Sequence, residues 1–194
     1  MADEHNRPET MDEGDVIELL QAQHGMIRDL FDEVEQASAG ERAEAFTRLV
    51  RLLAVHETAE EEIVHPYARG AIEGGDGVVD DRLAEEHEAK ELLEQLDQAG
   101  PDDPDFMKNL LVLRAAVEAH ARSEERYEFS EIIERTTPAQ RRAMGAGVKA
   151  AEAMAPTHPH PGVESATKNV LVGTPVAIMD RARDVIRQAM GKRP

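Results

Sequence analysis

Four long stretches of the sequence repeat apolar residues at spacings of three and four, and Pro or Gly separates each stretch from the next. This spacing predicts amphipathic helices, whereas the alternation typical of a β-strand is absent from the sequence. The predicted helices run from Asp15 to Ala37, from about Glu41 to between Pro66 and Gly70, through Val79 to Gly100, and from about Pro104 to Glu134. Four helices with short connections favour an all-α fold, an antiparallel up-down four-helix bundle.

The sequence on either side of the predicted bundle has a different character. Residues 1–14 are acidic and without an apolar core, which predicts a flexible N-terminal tail, so the bundle spans 15–135. Residues 136–194 are predicted to form a C-terminal helical extension. It contains a helix from about Pro138 to Met154, a Pro/His-rich turn over 156–161, and a last helix from Thr174 to Met190. The extension could cap the bundle, gate access to its interior or form the contact of a homodimer.

The composition excludes several kinds of site and partner. The sequence has 40 acidic and 22 basic residues, and its formal charge of −18 disfavours binding to nucleic acid or to anionic lipid. It has no cysteine, so a disulfide, a thiolate metal site and a cysteine nucleophile are ruled out. No stretch approaches the ~20 apolar residues of a membrane span. We therefore expect a cytoplasmic protein with no nucleic-acid and no membrane partner.

Histidines fall on the apolar stripes of the predicted helices. His24 continues the stripe of the first helix, His56 that of the second, His87 that of the third and His120 that of the fourth. Each helix of the bundle is therefore expected to direct one histidine into the core.

Three of these histidines are followed by a glutamate four residues later. The pairs are His56 with Glu60, His87 with Glu91, and His120 with Glu124. Side chains four apart in a helix lie on one face, about 6 Å apart along the axis. Burying a carboxylate without a partner is costly, and no Lys or Arg lies close enough on the same stripes. The pattern predicts a metal site, with a metal-free buried polar network as the alternative. Imidazole and carboxylate ligands suit iron, manganese or zinc, and ligands from four helices suit two ions.

The chain resembles the hemerythrin-like proteins of the HHE cation-binding type over residues 15–135. The matching segments are Gln21 to His24, His56 to Glu62, Glu86-His87, and His120 to Glu125. The resemblance implies two iron ions joined by an oxo or hydroxo bridge. It also implies ligation by His24, His56, His87 and His120, with Glu60 and Glu124 bridging the ions.

The sequence departs from the oxygen-carrying members of this family on the third and fourth helices. Those proteins have His-x-x-x-His and His-x-x-x-x-Asp, where this chain has His87-x-x-x-Glu91 and His120-x-x-x-Glu124. A site with one imidazole fewer and a carboxylate more is more anionic, which favours ferric iron and weakens reversible oxygen binding. Oxygen transport is therefore disfavoured.

We expect simpler roles for most of the other residues near the pattern. Tyr127 is either a core tyrosine or a ligand or hydrogen-bond partner of the site. Glu57 is expected to be a solvated neighbour of His56, and His65 a surface residue. His158 and His160 are assigned to the turn, and His5 to the tail.

Several functions are compatible with the predicted site, all with a peroxide or a small diatomic molecule as ligand. The site could belong to an enzyme that disproportionates peroxide or reduces nitric oxide, to a sensor, or to a protein that stores oxygen or iron. Redox or peroxide chemistry and sensing are preferred to storage. A ferritin-like site would need Glu-x-x-His twice, and only Glu62 to His65 fits, on a face expected to point away. A zinc peptidase would need a second histidine after His56-Glu57. A metal-free helical adaptor is the alternative from another class.

Overall fold

A computed structural model describes residues 14–153, which form helices joined by short turns. The helices are α1 (Val16–Gln36), α2 (Arg42–Ala59), α3 (His65–Ala71), α4 (Gly75–Ala99), α5 (Phe106–Ser123), α6 (Ser130–Arg135) and α7 (Pro138–Glu152). A π turn, Glu60–Val64, joins α2 to α3 without a break, and a second π turn, Glu124–Phe129, joins α5 to α6. The chain therefore has five continuous helical segments in its described part.

Four of these segments form the bundle. The first segment, α1, packs against α2 and α5, and α4 packs against α5 and α2. Short turns connect neighbours, so the segments alternate in direction, and the predicted all-α four-helix bundle is confirmed. No helix within residues 14–153 is both long and apolar enough to cross a membrane.

Local sequence signals set the helix ends. The Asp15 side chain accepts a hydrogen bond from the Ile17 amide and so caps α1. At the other end of the bundle Gly100 ends α4 with a positive φ of 78°, a conformation that a side chain would disfavour. Both predicted ends of α1 and the predicted end of α4 agree with the structure to within one residue, whereas α4 begins four residues before Val79.

The interior of the bundle is divided into layers along its axis. One apolar layer contains residues of α1, α2, α4 and α5, including Phe31, Leu49 and Leu113. A second apolar layer lies towards the other end and includes Leu20, Ile63 and Ile132. Each of the four segments also buries charged or polar side chains between or beside these apolar residues, among them His24, Glu60, Glu86 and Glu124. We call these buried polar residues the charged layer. Burial demands a partner for every charge in it.

Helix α7 extends the second apolar layer beyond the bundle. Thr137 and Gln140 form a capping box at its start, and Met144 and Val148 pack against α1 and the first π turn. Gly145 permits the close approach, because a Cβ there would lie 2.2 Å from the carbonyl oxygen of Gly14. The predicted Pro/His-rich turn and the last helix lie outside the described residues.

Candidate metal centre

Four of the predicted site residues meet in the charged layer. Donor atoms of His24, His56, Glu60 and Glu124 all lie within 4.8 Å of one another, and all four side chains are buried. The Nε2 atom of His24 is 3.4 Å from Glu124 Oε2, and that of His56 is 3.3 Å from Glu60 Oε1. Three helical segments therefore direct imidazole and carboxylate groups at one point.

A second group of donors overlaps the first. Glu60, Glu86 and His120 also have donor atoms within 4.8 Å of one another. His120 Nε2 lies 3.4 Å from Glu124 Oε2 and 4.0 Å from Glu86 Oε1. Glu60 thus belongs to both groups, and Glu124 lies between His24 and His120. This is the arrangement that two neighbouring cations need if they share carboxylate ligands.

His87 lies outside these groups, so the prediction that it points into the core is wrong. Its side chain is 41% exposed and its Nε2 atom lies 3.4 Å from Glu91, which is exposed as well. The buried stripe of α4 consists of Val79, Arg82, Glu86, Ala89, Lys90, Leu93 and Leu96. Leu83, from which the position of His87 was inferred, is only partly buried. Because three of these seven residues are charged, the apolar pattern alone indicates the wrong face.

His65 is the opposite case, since it was assigned to the surface and is buried. Its side chain is 2% exposed; Nε2 lies 2.6 Å from Glu86 Oε1, and Nδ1 lies 3.1 Å from Glu128 Oε1. Together with Glu124 and Glu128 it forms a third group of donors within 4.8 Å. Glu62, expected to face away with His65, is buried too. The π turn before His65 adds a residue to the helical turn, which an α-helical spacing does not anticipate.

A buried lysine beside the site was also missed. Lys90 Nζ contacts Glu61 and lies 3.6 Å from both Glu57 and Glu86. Glu57 was expected to be solvated, yet it is buried against this ammonium group. Tyr127, by contrast, is 54% exposed, so neither the core nor the ligand interpretation of it holds.

The three histidines that point at the centre are held from behind by acceptors. Nδ1 of His24 lies 2.8 Å from Glu125 Oε1, that of His56 lies 2.7 Å from Gln23 Oε1, and that of His120 lies 3.1 Å from Glu85 Oε2. An acceptor at Nδ1 places the proton there and leaves the lone pair of Nε2 for a cation. Metal-binding histidines in proteins have this outer support as a rule.

The donor atoms at the centre lack hydrogen-bond partners, and this is the test of whether a cation fits. Nε2 of His24 and His120, both carboxylate oxygens of Glu60 and of Glu124, and one oxygen each of Glu86 and Glu128 are buried without one. Burial raises the pKa of Glu60 well above its usual value, and the neighbouring charge of Glu124 adds to the rise. Buried groups of this kind need a cation or protons to balance them, so the residues present fit a metal ion.

A small cavity adjoins the centre on the side of the first apolar layer. Its volume is about 20 Å³, which is room for about one water molecule. His24, His56, Glu86 and His120 line its inner end together with the apolar side chains Ile27, Leu53, Ala89, Val117 and Ala121. The exposed Arg28 and the half-buried Glu118 also line it, so it reaches the surface between α1 and α5.

Comparisons with known proteins give a curated relative and a solved structure that are similar to this chain. A curated relative, a DNA nickase from Nostoc sp. (strain PCC 7120), is 29% identical over 136 residues, which are 70% of this chain and 38% of the relative. The chain therefore spans well under half of that protein. A crystal structure of a hemerythrin HHE cation binding domain-containing protein from Mycobacterium kansasii superposes with a TM-score of 0.63 at 20% identity. The match covers 87% of this chain and 98% of that one, and at this identity it shows the fold.

The sequence also matches the model of a protein family over more than half of its length. Residues 15–132 match the family described as the hemerythrin HHE cation binding domain, and this span contains every donor of the three groups. The match covers the bundle and ends before α7 begins. This chain is therefore a member of the hemerythrin HHE cation-binding family.

Proposed function

We propose that the chain holds two iron ions in its charged layer and uses them in redox chemistry on peroxide or a small diatomic molecule, or in sensing such a molecule. The observation that carries this proposal is the set of buried donor atoms without hydrogen-bond partners, which converge from all four segments of the bundle. Nitrogen and oxygen donors without thiolate suit iron, and membership of a cation-binding family supports the choice.

The two overlapping donor groups support a particular set of ligands. One ion would be held by His24, His56, Glu60 and Glu124, and the other by Glu60, Glu86, His120 and Glu124. In this set of ligands Glu86 would take the place for which the apolar pattern predicts His87. Two iron ions that share carboxylate ligands can exchange two electrons with a small molecule bound beside them.

The residues around the centre limit what can reach it. The cavity, whose apolar walls are formed in part by Ile27, Leu53 and Val117, has room for about one water molecule, which favours a ligand of one or two heavy atoms. The carboxylates of Glu60, Glu86 and Glu124 make the site strongly anionic, which favours the ferric state over reversible oxygen binding. Storage of oxygen or iron without turnover is the alternative within the same metal site.

We also propose that nucleic acid is not a partner of this chain. The DNA nickase name belongs to a protein of which this chain covers 38%. The net charge of −18 repels phosphates, and neutralising them would require a basic surface.

Metal analysis with an absorption spectrum tests the proposal. Protein produced with ample iron should contain about two iron ions per chain and absorb in the near-ultraviolet through ligand-to-ferric charge transfer. Titration with hydrogen peroxide, oxygen and nitric oxide then separates turnover from storage, because only an enzyme consumes many equivalents per chain. A chain that purifies without transition metal under these conditions would exclude the metal site and favour a helical adaptor.

A further inference from the structure

The helix that follows the family domain is connected to a candidate ligand through a single side chain. Gln23 Nε2 of α1 donates a hydrogen bond to the Glu152 carboxylate at the end of α7. The carbonyl oxygen of the same amide, Gln23 Oε1, lies 2.7 Å from Nδ1 of His56. Glu152 lies outside residues 15–132, so it is not part of the span that matches the family.

We propose that Glu152 is a positioning residue for the metal centre, which fixes the orientation of the Gln23 amide and through it the ring of His56. The proposal rests on the proposed iron site. A carboxylate accepts hydrogen bonds and donates none, so only the NH₂ end of Gln23 can face Glu152. The carbonyl end then faces His56 and accepts the proton of Nδ1. His56 Nε2 is thereby left without a proton, 3.3 Å from Glu60 and ready to bind a cation.

The opposite orientation of the amide would lose the contact with Glu152 and reverse the contact with His56. Its carbonyl oxygen would face the carboxylate of Glu152, and its NH₂ group would face Nδ1 of His56. The second contact would require an acceptor at Nδ1 and so move the ring proton to Nε2, where it would block a cation. Glu152 therefore selects the tautomer of His56 that binds metal.

The position of Glu152 is itself fixed by the packing of α7. Arg141 Nε lies 2.5 Å from Asp15 Oδ2, which is the residue that caps α1. Met144, Val148 and Ala151 are buried in the second apolar layer, and Gly145 lies against the backbone of Gly14. Helix α7 thus contacts α1 near both of its own ends, and the Gln23–Glu152 contact is the one nearer the metal centre.

The experiment measures iron release from the full-length protein loaded with ferrous iron and mixed with an excess of a ferrous chelator. Glu152→Ala removes the contact. Glu152→Gln keeps the shape but can donate as well as accept, so it no longer selects one orientation of Gln23. Both variants should release iron about tenfold faster than the wild type. Glu134→Gln, the same change at an exposed position of α6, is the matched control and should release iron at the wild-type rate.

A double-mutant cycle separates positioning from general stability. Gln23→Leu should accelerate release at least as much as Glu152→Ala, and the double variant should be no faster than Gln23→Leu alone, because Glu152 acts through Gln23. Rates that multiply in the double variant, or a wild-type rate in both Glu152 variants, would overturn the inference. Thermal unfolding of each variant shows whether α7 has detached.

The ring tautomer of His56 gives a second reading that needs no metal. Nitrogen chemical shifts of the metal-free wild type should show the proton on Nδ1, and Glu152→Gln should show a mixture of the two tautomers. An unchanged tautomer in that variant would refute the inference even if release were faster. A wild-type chain that binds no iron would refute the proposed function, and the tautomer measurement would still decide the role of Glu152.

Discussion

The backbone amide of His65 donates its hydrogen bond to the carbonyl of Glu60, five residues earlier rather than four. This widened turn keeps His65 on the same inner side of the helix as Glu60, and the imidazole reaches Glu86 and Glu128. The second π turn starts at Glu124 in the same way and leaves Glu128 fully buried. Each of the two glutamates between the candidate ion positions therefore begins a π turn, and π turns are common at functional sites.

Substitutions of His120 and His87 test whether the candidate site has the residues seen in the structure or those expected from the apolar pattern. We predict that His120→Ala lowers the iron content to about half or less, because it removes a donor of the second group. His87→Ala, the matched control on α4, should leave both content and spectrum unchanged, because that ring is 41% exposed. Metal analysis of both variants gives the answer, and loss of iron in His87→Ala alone would reverse the assignment.

Glu86 is predicted to be a ligand that the sequence pattern missed. Glu86→Gln retains the size of the side chain but weakens the donor, so iron affinity should fall about 10- to 100-fold. Competition with a chelator of known affinity measures the change. Glu88→Gln, on the same helix and more exposed, serves as the control. Equal affinities of the Glu86 variant and the wild type would remove Glu86 from the ligand set.

Lys90 is predicted to stabilise the fold by balancing the carboxylates around it. Lys90→Met leaves Glu57, Glu61 and Glu86 without their buried cation and should lower the free energy of unfolding by about 3 kcal/mol. Arg48→Met, which breaks an exposed pair with Glu33, should change it by less than about 1 kcal/mol. Urea unfolding measures both. Similar small effects of the two substitutions would show that Lys90 is not the balancing charge.

The metal-free protein is predicted to lose stability as the pH rises from 7 to 9. Burial raises the pKa of Glu57 to about 8 and that of Glu61 to about 7. Burial alone would lower the pKa of His120, but the charge of Glu124 outweighs it and holds the value at about 9. Each of these three groups has a higher pKa in the folded chain than in the unfolded chain. The stability that each contributes is therefore complete below its pKa in the unfolded chain, and it is lost as the pH rises through its pKa in the folded chain.

The side chain of His56 affects stability in a different pH range from these three groups. Burial lowers the pKa of His56 to about 3, so its contribution is complete above pH 6.5 and is lost as the pH falls. The pKa values of Glu60 and His65 are raised as well, so these two groups act in the same direction as the first three. Between pH 7 and 9 we therefore expect a loss of stability, about 4 kcal/mol from the first three groups alone. Urea unfolding at pH 7, 8 and 9 with a chelator present measures it. A stability that stays level or increases over this range would contradict the prediction.

The sequence predicts those candidate ligands that lie on the same helix face as the apolar residues. His24, His56 and His120 each follow apolar residues at three- and four-residue spacing, and all three are buried at the centre. On α4 the buried stripe includes Arg82, Glu86 and Lys90, so the hydrophobic pattern could not reveal which face was inside. A charged residue in a sequence can lie in solvent or be buried against a partner of opposite charge. Only the position of that partner in the folded chain shows which of the two is the case.

The sequence by itself determined the helices, their ends and the family, because apolar spacing, caps and helix breakers are local properties of the chain. The tertiary structure alone decided that Glu86 and His65 are inside and His87 is outside. The π turn that reorients His65 gives up regular α-helical hydrogen bonds, and the buried polar contacts with Glu86 and Glu128 compensate for it. The same holds for Glu152, which reaches Gln23 across 129 residues of sequence only because α7 packs on α1. Contacts between distant segments balance the buried charges, and no local pattern records them.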